Sequence, residues 1–261
     1  MRSLALSAAL LAAASAASAQ SESDLAKKLS NPVANLISVP FQYNYNEGYL
    51  GGDAKQSYVN IQPVIPISIG ENWNLISRTI LPVVYQTGFK EDGGSQFGFG
   101  LTTQSFFFSP KQPENGIIWG VGPAFQIPTA TDDIAHNQWG AGVTGVALKQ
   151  SHGWTVGLLA NQIWSVSGND RYGETSAAFL QPFLSYTTAK ATSFTLNTES
   201  TYDWKASQWS VPINAMVGQI IKIGGKPVQL TAGARYWAEA PEAGPDGWGL
   251  RLVVTYLFPK G

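Results

Sequence analysis

The alternation of apolar residues between positions 250 and 258 constrains the fold of this chain more than any other feature. Every second residue there is apolar, so one face of an extended strand carries Leu250, Leu252, Val254, Tyr256 and Phe258. A strand with an apolar face so near the chain end is typical of the strand that closes a transmembrane barrel. A membrane sheet has to close, because an open edge leaves backbone groups unpaired in hydrocarbon. The chain end therefore predicts an all-β fold, a transmembrane antiparallel β-barrel.

The N-terminus carries the pattern of a bacterial export signal. Arg2 precedes an apolar stretch up to residue 14, and small residues at 17–19 predict cleavage before Gln20. This stretch is too short to span a bilayer, and no later stretch approaches the ~20 apolar residues of a membrane helix. We predict a signal peptide at residues 1–19, a periplasmic segment with a short helix at residues 20–34 and a barrel at residues 35–258. The predicted location is the bacterial outer membrane.

Period-two alternation continues through most of the remaining sequence. From Ile37 to Tyr45 the odd positions are apolar or aromatic, and the even positions carry Ser, Pro, Gln and Asn. One face suits lipid and the other suits water. The pattern predicts about twelve strands, an even number as in bacterial single-chain barrels. They lie near residues 35–46, 59–68, 73–86, 96–108, 117–127, 138–148, 154–166, 176–187, 193–203, 208–220, 227–237 and 248–258.

The connections between these strands support the same topology. Most connections after odd-numbered strands are long and polar, such as residues 87–95 and 129–137, whereas most connections after even-numbered strands are shorter, such as residues 70–72 and 223–226. Outer-membrane barrels have long outer loops and short periplasmic turns. The short connection at residues 204–207 is an exception, and we place it outside.

Composition agrees with a membrane barrel. Only 13% of the residues are charged, against about 25% in soluble domains. Most tryptophans and tyrosines lie near predicted strand ends, where amphipathic rings favour the headgroup layer. The alternative interpretation is the aromatic core of a soluble β-sandwich. The chain has no Cys and a net charge of −1, so we expect neither disulfides nor nucleic-acid binding.

If the apolar faces contact lipid, the opposite faces define a lumen. Its few charges are Arg78, Arg235 and Arg251 against Glu199, with Asp203 a further candidate. We expect Glu199 to pair with one or more of these arginines across the lumen, and a role in selectivity is the alternative; both can hold. The predicted lumen-lining residues are Gln42, Asn44, Asn60, Gln62, Arg78, Gln104, Gln126, Asn161, Gln181, Asn197, Glu199, Asn214, Gln229, Arg235 and Arg251.

Aromatic residues and glycines also fall at period two. The predicted inner face includes Phe106, Phe108, Phe179, Phe183 and Trp237, which an apolar solute could contact. Pairs of glycines at positions 98 and 100, 120 and 122, and 140 and 142 fit a tightly curved wall or room for lumen side chains. Prolines within predicted strands are expected at bulges or near the rims.

Catalytic or metal-binding residues are not evident in this sequence. A barrel hydrolase needs a nucleophilic Ser and a His within hydrogen-bond reach, and neither His136 nor His152 has a Ser two residues away on its face. Asp132, Asp133 and His136 share one predicted outer loop, but loop carboxylates are usually only solvated. We therefore predict that the protein is not an enzyme, with no catalytic residues, no cofactor and no metal.

Several stretches resemble the family named for the MetA pathway of phenol degradation, a group of outer-membrane transporter-like barrels. The resemblance rests on LSNPVANLISVPFQ from Leu29, NIQPVIP from Asn60, WNLISRTILP from Trp73, FLQPFLSY from Phe179, NTESTYDW from Asn197 and WSVPIN from Trp209. It runs from about Leu29 to the C-terminus. The resemblance implies a transporter-like barrel and favours aromatic or hydrophobic compounds as solutes.

These observations predict a porin-like channel for passive uptake or efflux of small molecules. Twelve strands lie between the ~8-stranded barrels that side chains fill and the ~16-stranded porins with open channels, which favours a narrow or gated pathway. The N-terminal helix is expected at the periplasmic mouth or as a partial plug. The expected partners are outer-membrane lipid and a small-molecule solute. A non-conducting structural or adhesion barrel is the alternative, and a lipid- or peptide-processing enzyme ranks third.

Overall fold

The computed structural model describes residues 22–131, 134–168 and 174–259. A short helix, α1 (residues 22–29), precedes the strands. A single 3-10 turn, Leu50–Gly52, connects the first two strands. The strands are β1 (Ile37–Tyr49), β2 (Ala54–Ile61), β3 (Val64–Ile69), β4 (Trp73–Thr87), β5 (Ser95–Phe99), β6 (Thr102–Pro110), β7 (Ile118–Ile127), β8 (Gln138–Ser151), β9 (Trp154–Gly168), β10 (Ser176–Thr187), β11 (Thr192–Thr198), β12 (Ser200–Asp203), β13 (Gln208–Ile223), β14 (Lys226–Glu239) and β15 (Gly247–Phe258).

The fifteen strands form twelve passes of one antiparallel barrel. Three passes are interrupted once each: β2 and β3 at Gln62-Pro63, β5 and β6 at Gly100-Leu101, and β11 and β12 at Glu199. The barrel closes where β1 pairs with β15, from Ile37 opposite Phe258 to Tyr45 opposite Leu250. The prediction of about twelve antiparallel strands, with a final strand that closes the barrel, is confirmed.

The outer face of the barrel is apolar. Leu250 is 44% exposed on β15, whereas its neighbour Arg251 is 1% exposed and points inward. Aromatic pairs lie at the strand ends on this face, with ring centroids 4.8 Å apart for Trp154 and Tyr186. An apolar exterior of this kind is the lipid-facing surface of an outer-membrane barrel. In the ranges that the structure describes, no helix has the length and hydropathy to cross a bilayer.

Residues 22–36, here called the plug, lie inside the barrel. Leu25 and Ala26 of α1 pack against Ile220 and Leu257 of the wall. They sit at the end of the barrel with the short turns, which in outer-membrane barrels faces the periplasm. Further along, Val33 packs into a buried apolar cluster on the opposite wall, formed by Ile76, Phe107, Val146, Leu148 and Leu159. Residues 1–21, with the predicted signal peptide, lie outside the described residues.

Glycines permit two close approaches that side chains would block. A Cβ atom on Gly120 would lie 3.2 Å from Val33, so this glycine leaves room for the plug. A Cβ atom on Gly142 would collide with the carbonyl oxygen of Gln162 on β9, so this glycine allows the wall to coil tightly. Among the prolines, Pro63 lies in the break between β2 and β3 and Pro212 at a bulge of β13, as expected. Pro182 contradicts that expectation, because it pairs in register with Leu158 in the middle of β10.

Candidate functional site

One carboxylate and two arginines meet in the barrel interior. Arg251 binds Glu199 with both ends of its guanidinium, at 2.7 Å from Nη1 to Oε1 and 2.6 Å from Nη2 to Oε2. Arg235 donates from Nη2 to the same Oε2 at 2.9 Å. Glu199 occupies the one-residue break between β11 and β12, and such irregularities redirect a side chain. The expected pairing of Glu199 across the lumen is thus present.

Amide and phenol groups complete the hydrogen bonding of both arginines. Arg235 donates from Nε to Asn214 Oδ1 and from Nη1 to the hydroxyl of Tyr58, each at 2.8 Å. Arg251 donates from Nε to Asn44 Oδ1 at 2.8 Å. Asn214 Nδ2 donates in turn to Asn197 Oδ1 at 2.9 Å. We call this group the arginine cluster: Asn44, Tyr58, Asn197, Glu199, Asn214, Arg235 and Arg251.

The arginine cluster is held away from solvent. The side chains of Arg235 and Arg251 are 2% and 1% exposed, and that of Glu199 is 21% exposed. Buried charges persist only where ion pairs and hydrogen bonds offset their desolvation. All three guanidinium nitrogens of Arg235 and of Arg251 have acceptors, so the cluster forms a fixed polar layer over six adjacent passes of the wall.

The plug contacts the wall through few polar interactions. Ser30 Oγ lies 2.8 Å from Thr155 Oγ1, and Gln150 Nε2 donates to the Lys27 carbonyl oxygen at 2.8 Å. Ser23 Oγ donates to the carbonyl oxygen of Thr188 at 3.2 Å. Near the mouth, Lys222 Nζ lies 3.1 Å from Glu22 Oε1. The plug is therefore docked in the barrel without a strand pairing to the wall.

A cavity of about 260 Å³ separates the plug from one side of the wall. Plug residues from Ala26 to Leu36 form one side of it. The wall side combines amide and hydroxyl groups with a few apolar side chains and one cation. Its members include Gln42, Gln62, Val64, Arg78, Gln181, Phe183, Asn197, Met216, Gln229 and Thr231. This cavity lies between the mouth and the arginine cluster, because Asn197 belongs to both.

Fourteen of the fifteen residues predicted to line the lumen have inward positions in the structure. Register and burial place there Gln42, Asn44, Asn60, Gln62, Arg78, Gln126, Asn161, Gln181, Asn197, Glu199, Asn214, Gln229, Arg235 and Arg251.

Gln104 is the exception, because it lies on the outer face of β6. Its amide is satisfied there by two hydroxyls of β4: Thr79 Oγ1 donates to Oε1 at 2.6 Å, and Nε2 donates to Ser77 Oγ at 3.0 Å.

The same strand corrects the prediction for two phenylalanines. Phe108 is 44% exposed on the outer face and Phe106 shares that face, whereas Phe107 is fully buried inside. Three consecutive phenylalanines place an aromatic ring on both faces whichever register is chosen, so alternation does not determine the orientation of this strand. By contrast, Phe179, Phe183 and Trp237 do point inward.

Two groups of interior residues escaped the sequence analysis. Tyr58 lies two residues before Asn60 and four before Gln62, on the same face of the strand, so the period-two alternation could have identified it. The wall contacts of the plug, Thr155 and Gln150, carried no signal, because they join segments more than 120 residues apart in the sequence.

One Ser and one His side chain are in contact at a turn of the barrel. Ser151 Oγ lies 2.7 Å from His152 Nδ1, because the tight turn between β8 and β9 brings adjacent side chains together. Both residues are exposed in this turn, and neither lines the cavity. Asp132 and Asp133 lie outside the described residues, and among those described no group of three His, Cys, Asp or Glu side chains could hold a metal.

Comparison with solved structures identifies outer-membrane barrels as structural neighbours. The chain is similar to the COG4313 outer membrane channel from Pseudomonas putida F1, with a TM-score of 0.66, 15% identity, and coverage of 86% of this chain and 96% of that one. Weaker similarity extends to the outer membrane phospholipase of Salmonella typhi, with a TM-score of 0.47, 9% identity and coverage of 85% and 91%. No family model matches the sequence, and no curated protein matches it. The fold is thus that of bacterial outer-membrane barrels.

Proposed function

We propose that this protein is an outer-membrane channel for passive passage of small molecules, which the plug keeps narrow or closed at rest. The observation that carries this proposal is the separate plug, which lies beside a cavity inside a polar lumen. A barrel built only as a rigid anchor would be filled by side chains of its own wall, as in small eight-stranded barrels.

The chemistry of the interior supports the same proposal. Amide side chains both donate and accept hydrogen bonds, so they can bind water molecules or a polar solute. Gln42, Gln181 and Gln229 face the cavity from three different strands. The similar structure from Pseudomonas putida F1 is described as an outer membrane channel, which agrees with this function.

Aromatic or hydrophobic compounds are the solutes that we favour. Phe183, Met216 and Leu29 provide apolar surface within the cavity, and the resemblance to the phenol-degradation family points to the same compounds.

Reconstitution tests the channel function directly. The folded protein in planar bilayers should give single-channel currents, and in liposomes it should speed the entry of small solutes above the rate of protein-free liposomes. A folded sample with neither current nor solute entry would contradict the proposal. A difference in gel migration between unheated and heated protein confirms that each sample is folded.

A sealed structural or adhesion barrel is the second candidate. The buried arginine cluster favours it, because these large side chains occupy interior space that a solute would need. Binding of a partner through the outer loops, lost on deletion of residues 129–137 from a barrel that still folds, would support this function instead.

A further inference from the structure

We infer that the interior cavity is a binding site for a small amphipathic carboxylate, anchored by the guanidinium of Arg78. This inference rests on the proposed function, since it names the class of solute that the pathway would hold. Arg78 points inward from β4 and lines the cavity together with the plug and the walls of β1, β10 and β11.

Arg78 has few partners for its charge. Among the described residues, its guanidinium makes one long hydrogen bond, from Nη2 to Gln62 Oε1 at 3.3 Å. Within the described parts of the chain, no carboxylate lies within ion-pair distance of its guanidinium. A guanidinium presents five donors in a fixed fork, so most of the donors of Arg78 are available to a ligand in the cavity.

Glu199 attracts Arg78 electrostatically but forms no ion pair with it. Both of its oxygens are bound by Arg251, and Oε2 also accepts from Arg235. On the described barrel wall away from the strand ends, three arginines thus share one carboxylate, which leaves an excess of two positive charges there, and Lys28 of the plug adds a cation to the cavity lining. Interior charge is costly unless compensated, and an anionic ligand would compensate it.

The geometry of Arg78 and its surroundings defines the ligand class. A guanidinium binds a carboxylate through two parallel hydrogen bonds. Phe183, Met216 and Leu29 provide apolar contacts in the same cavity. A volume of about 260 Å³ is below that of drug-sized pockets. The site therefore fits a short carboxylate with an apolar tail. An inorganic anion lacks the apolar tail, and a neutral amide lacks the charge, so both fit the site poorly.

Equilibrium binding to the full-length folded protein tests this inference. Butyrate, butyramide, acetate and chloride are titrated by calorimetry in a buffer without chloride, with butyrate as the primary probe. We expect butyrate to bind, acetate and chloride to bind more weakly, and butyramide to show no binding. Equal binding of butyrate and butyramide, or of butyrate and chloride, would overturn the inference.

Two variants of Arg78 and one control identify the anchor. Arg78→Gln should weaken butyrate binding about tenfold or more, since it removes a charge-assisted pair. Arg78→Lys, which keeps the charge but loses the fork, should give an intermediate affinity. Lys149→Gln removes one positive charge from the exposed outer face of β8 and should bind butyrate as the original protein does. Unchanged affinity in Arg78→Gln would place the ligand elsewhere.

The same samples separate this inference from the channel function. Butyrate binding that depends on Arg78, in a protein that conducts neither ions nor solutes, would retain the site and reject transport. Conductance without butyrate binding would retain the channel and reject the carboxylate site.

Discussion

At the scale of single residues, Glu199 has the largest effect on the interior. It is the common acceptor of two guanidinium groups that come from β14 and β15. Removing one member of a buried ion pair is more harmful than its net contribution suggests, because the remaining charge stays desolvated. Glu199 therefore acts as the counter-charge that allows two arginines to be buried in the barrel interior.

Replacement of this carboxylate tests that role. We expect Glu199→Gln to destabilise the folded barrel by roughly 3–5 kcal/mol, because Arg235 and Arg251 lose their only ion-pair acceptor in the described interior. Urea unfolding in lipid vesicles, followed by tryptophan fluorescence, measures the change in the free energy of unfolding.

Glu174→Gln is the matched control for this prediction. Glu174 pairs with Lys205 at 2.6 Å on the surface, and the hydrogen bond from that ammonium lowers the pKa of the Glu174 carboxyl. Water screens such an exposed pair, so its unfolding curve should match that of the original protein. Equal destabilisation by both substitutions would argue against a special role for Glu199.

At the scale of elements, the plug and strand β8 each make a testable contribution. The plug is joined to the wall by side-chain hydrogen bonds and apolar packing instead of a strand ladder. If its movement opens the pathway, a covalent link to the wall should keep the channel closed.

A disulfide between plug and wall makes this prediction specific. The side-chain oxygens of Ser30 and Thr155 lie 2.8 Å apart, so cysteines at both positions are in reach of a bond, and the chain has no native Cys to interfere. We expect Ser30→Cys with Thr155→Cys to conduct in reductant and to lose single-channel current on oxidation.

A second disulfide pair controls for oxidation itself. Ser185 and Thr195 face each other across β10 and β11 with oxygens 3.0 Å apart, so a bond between them joins two strands of the wall and leaves the plug unlinked. Cysteines there should leave the current unchanged by oxidation. Persistent current through the oxidised Ser30 and Thr155 pair would show that the pathway does not need plug movement.

Strand β8 depends on a glycine for its close pairing with β9. Gly142→Ala should destabilise the barrel by roughly 1–3 kcal/mol, because its methyl group would meet the backbone of Gln162 and Ile163. Gly145→Ala, in the same strand, would make only an ordinary contact of 3.6 Å with Val121 and serves as the control. The measurement is the temperature at which half of the protein migrates in gels as the unfolded form. Similar values for both variants would contradict a need for glycine at position 142.

At the scale of the whole molecule, the barrel interior is positively charged and the lipid-facing exterior is apolar. The lipid-facing surface is apolar, whereas the described interior holds an excess of positive charge from Arg78, Arg235 and Arg251. A charge in a narrow lumen acts strongly on permeant ions, because little water screens it.

Ion selectivity should therefore favour anions. Under a gradient of KCl, we expect the reversal potential of the reconstituted channel to have the sign of chloride permeation. Arg78→Gln should shift that potential towards zero, while Lys149→Gln on the outer face should not. A reversal potential with the sign of potassium permeation would contradict the inferred interior field.

The sequence by itself determined the barrel, the number of its passes and the face of nearly every strand. These properties follow from period-two alternation, which is local: each side chain points opposite to its neighbours, and only one face of a membrane barrel can meet lipid. Alternation failed at Gln104 and the adjacent phenylalanines, where both faces of the strand carry similar residues.

Only the tertiary structure decided which interior groups meet. Arg251 and Arg235 reach Glu199 from 52 and 36 positions away, and the plug reaches Thr155 across 125 positions. Such contacts depend on the closure of the barrel and on the stagger of its strands. These determine which side chains of different strands lie at the same level along the barrel axis. The charges predicted that Glu199 pairs with an arginine, but local alternation holds no information on that level. The pairing with Arg235 and Arg251 in place of Arg78, the wall contacts of the plug and the cavity beside Arg78 therefore emerge only once the sheet is closed.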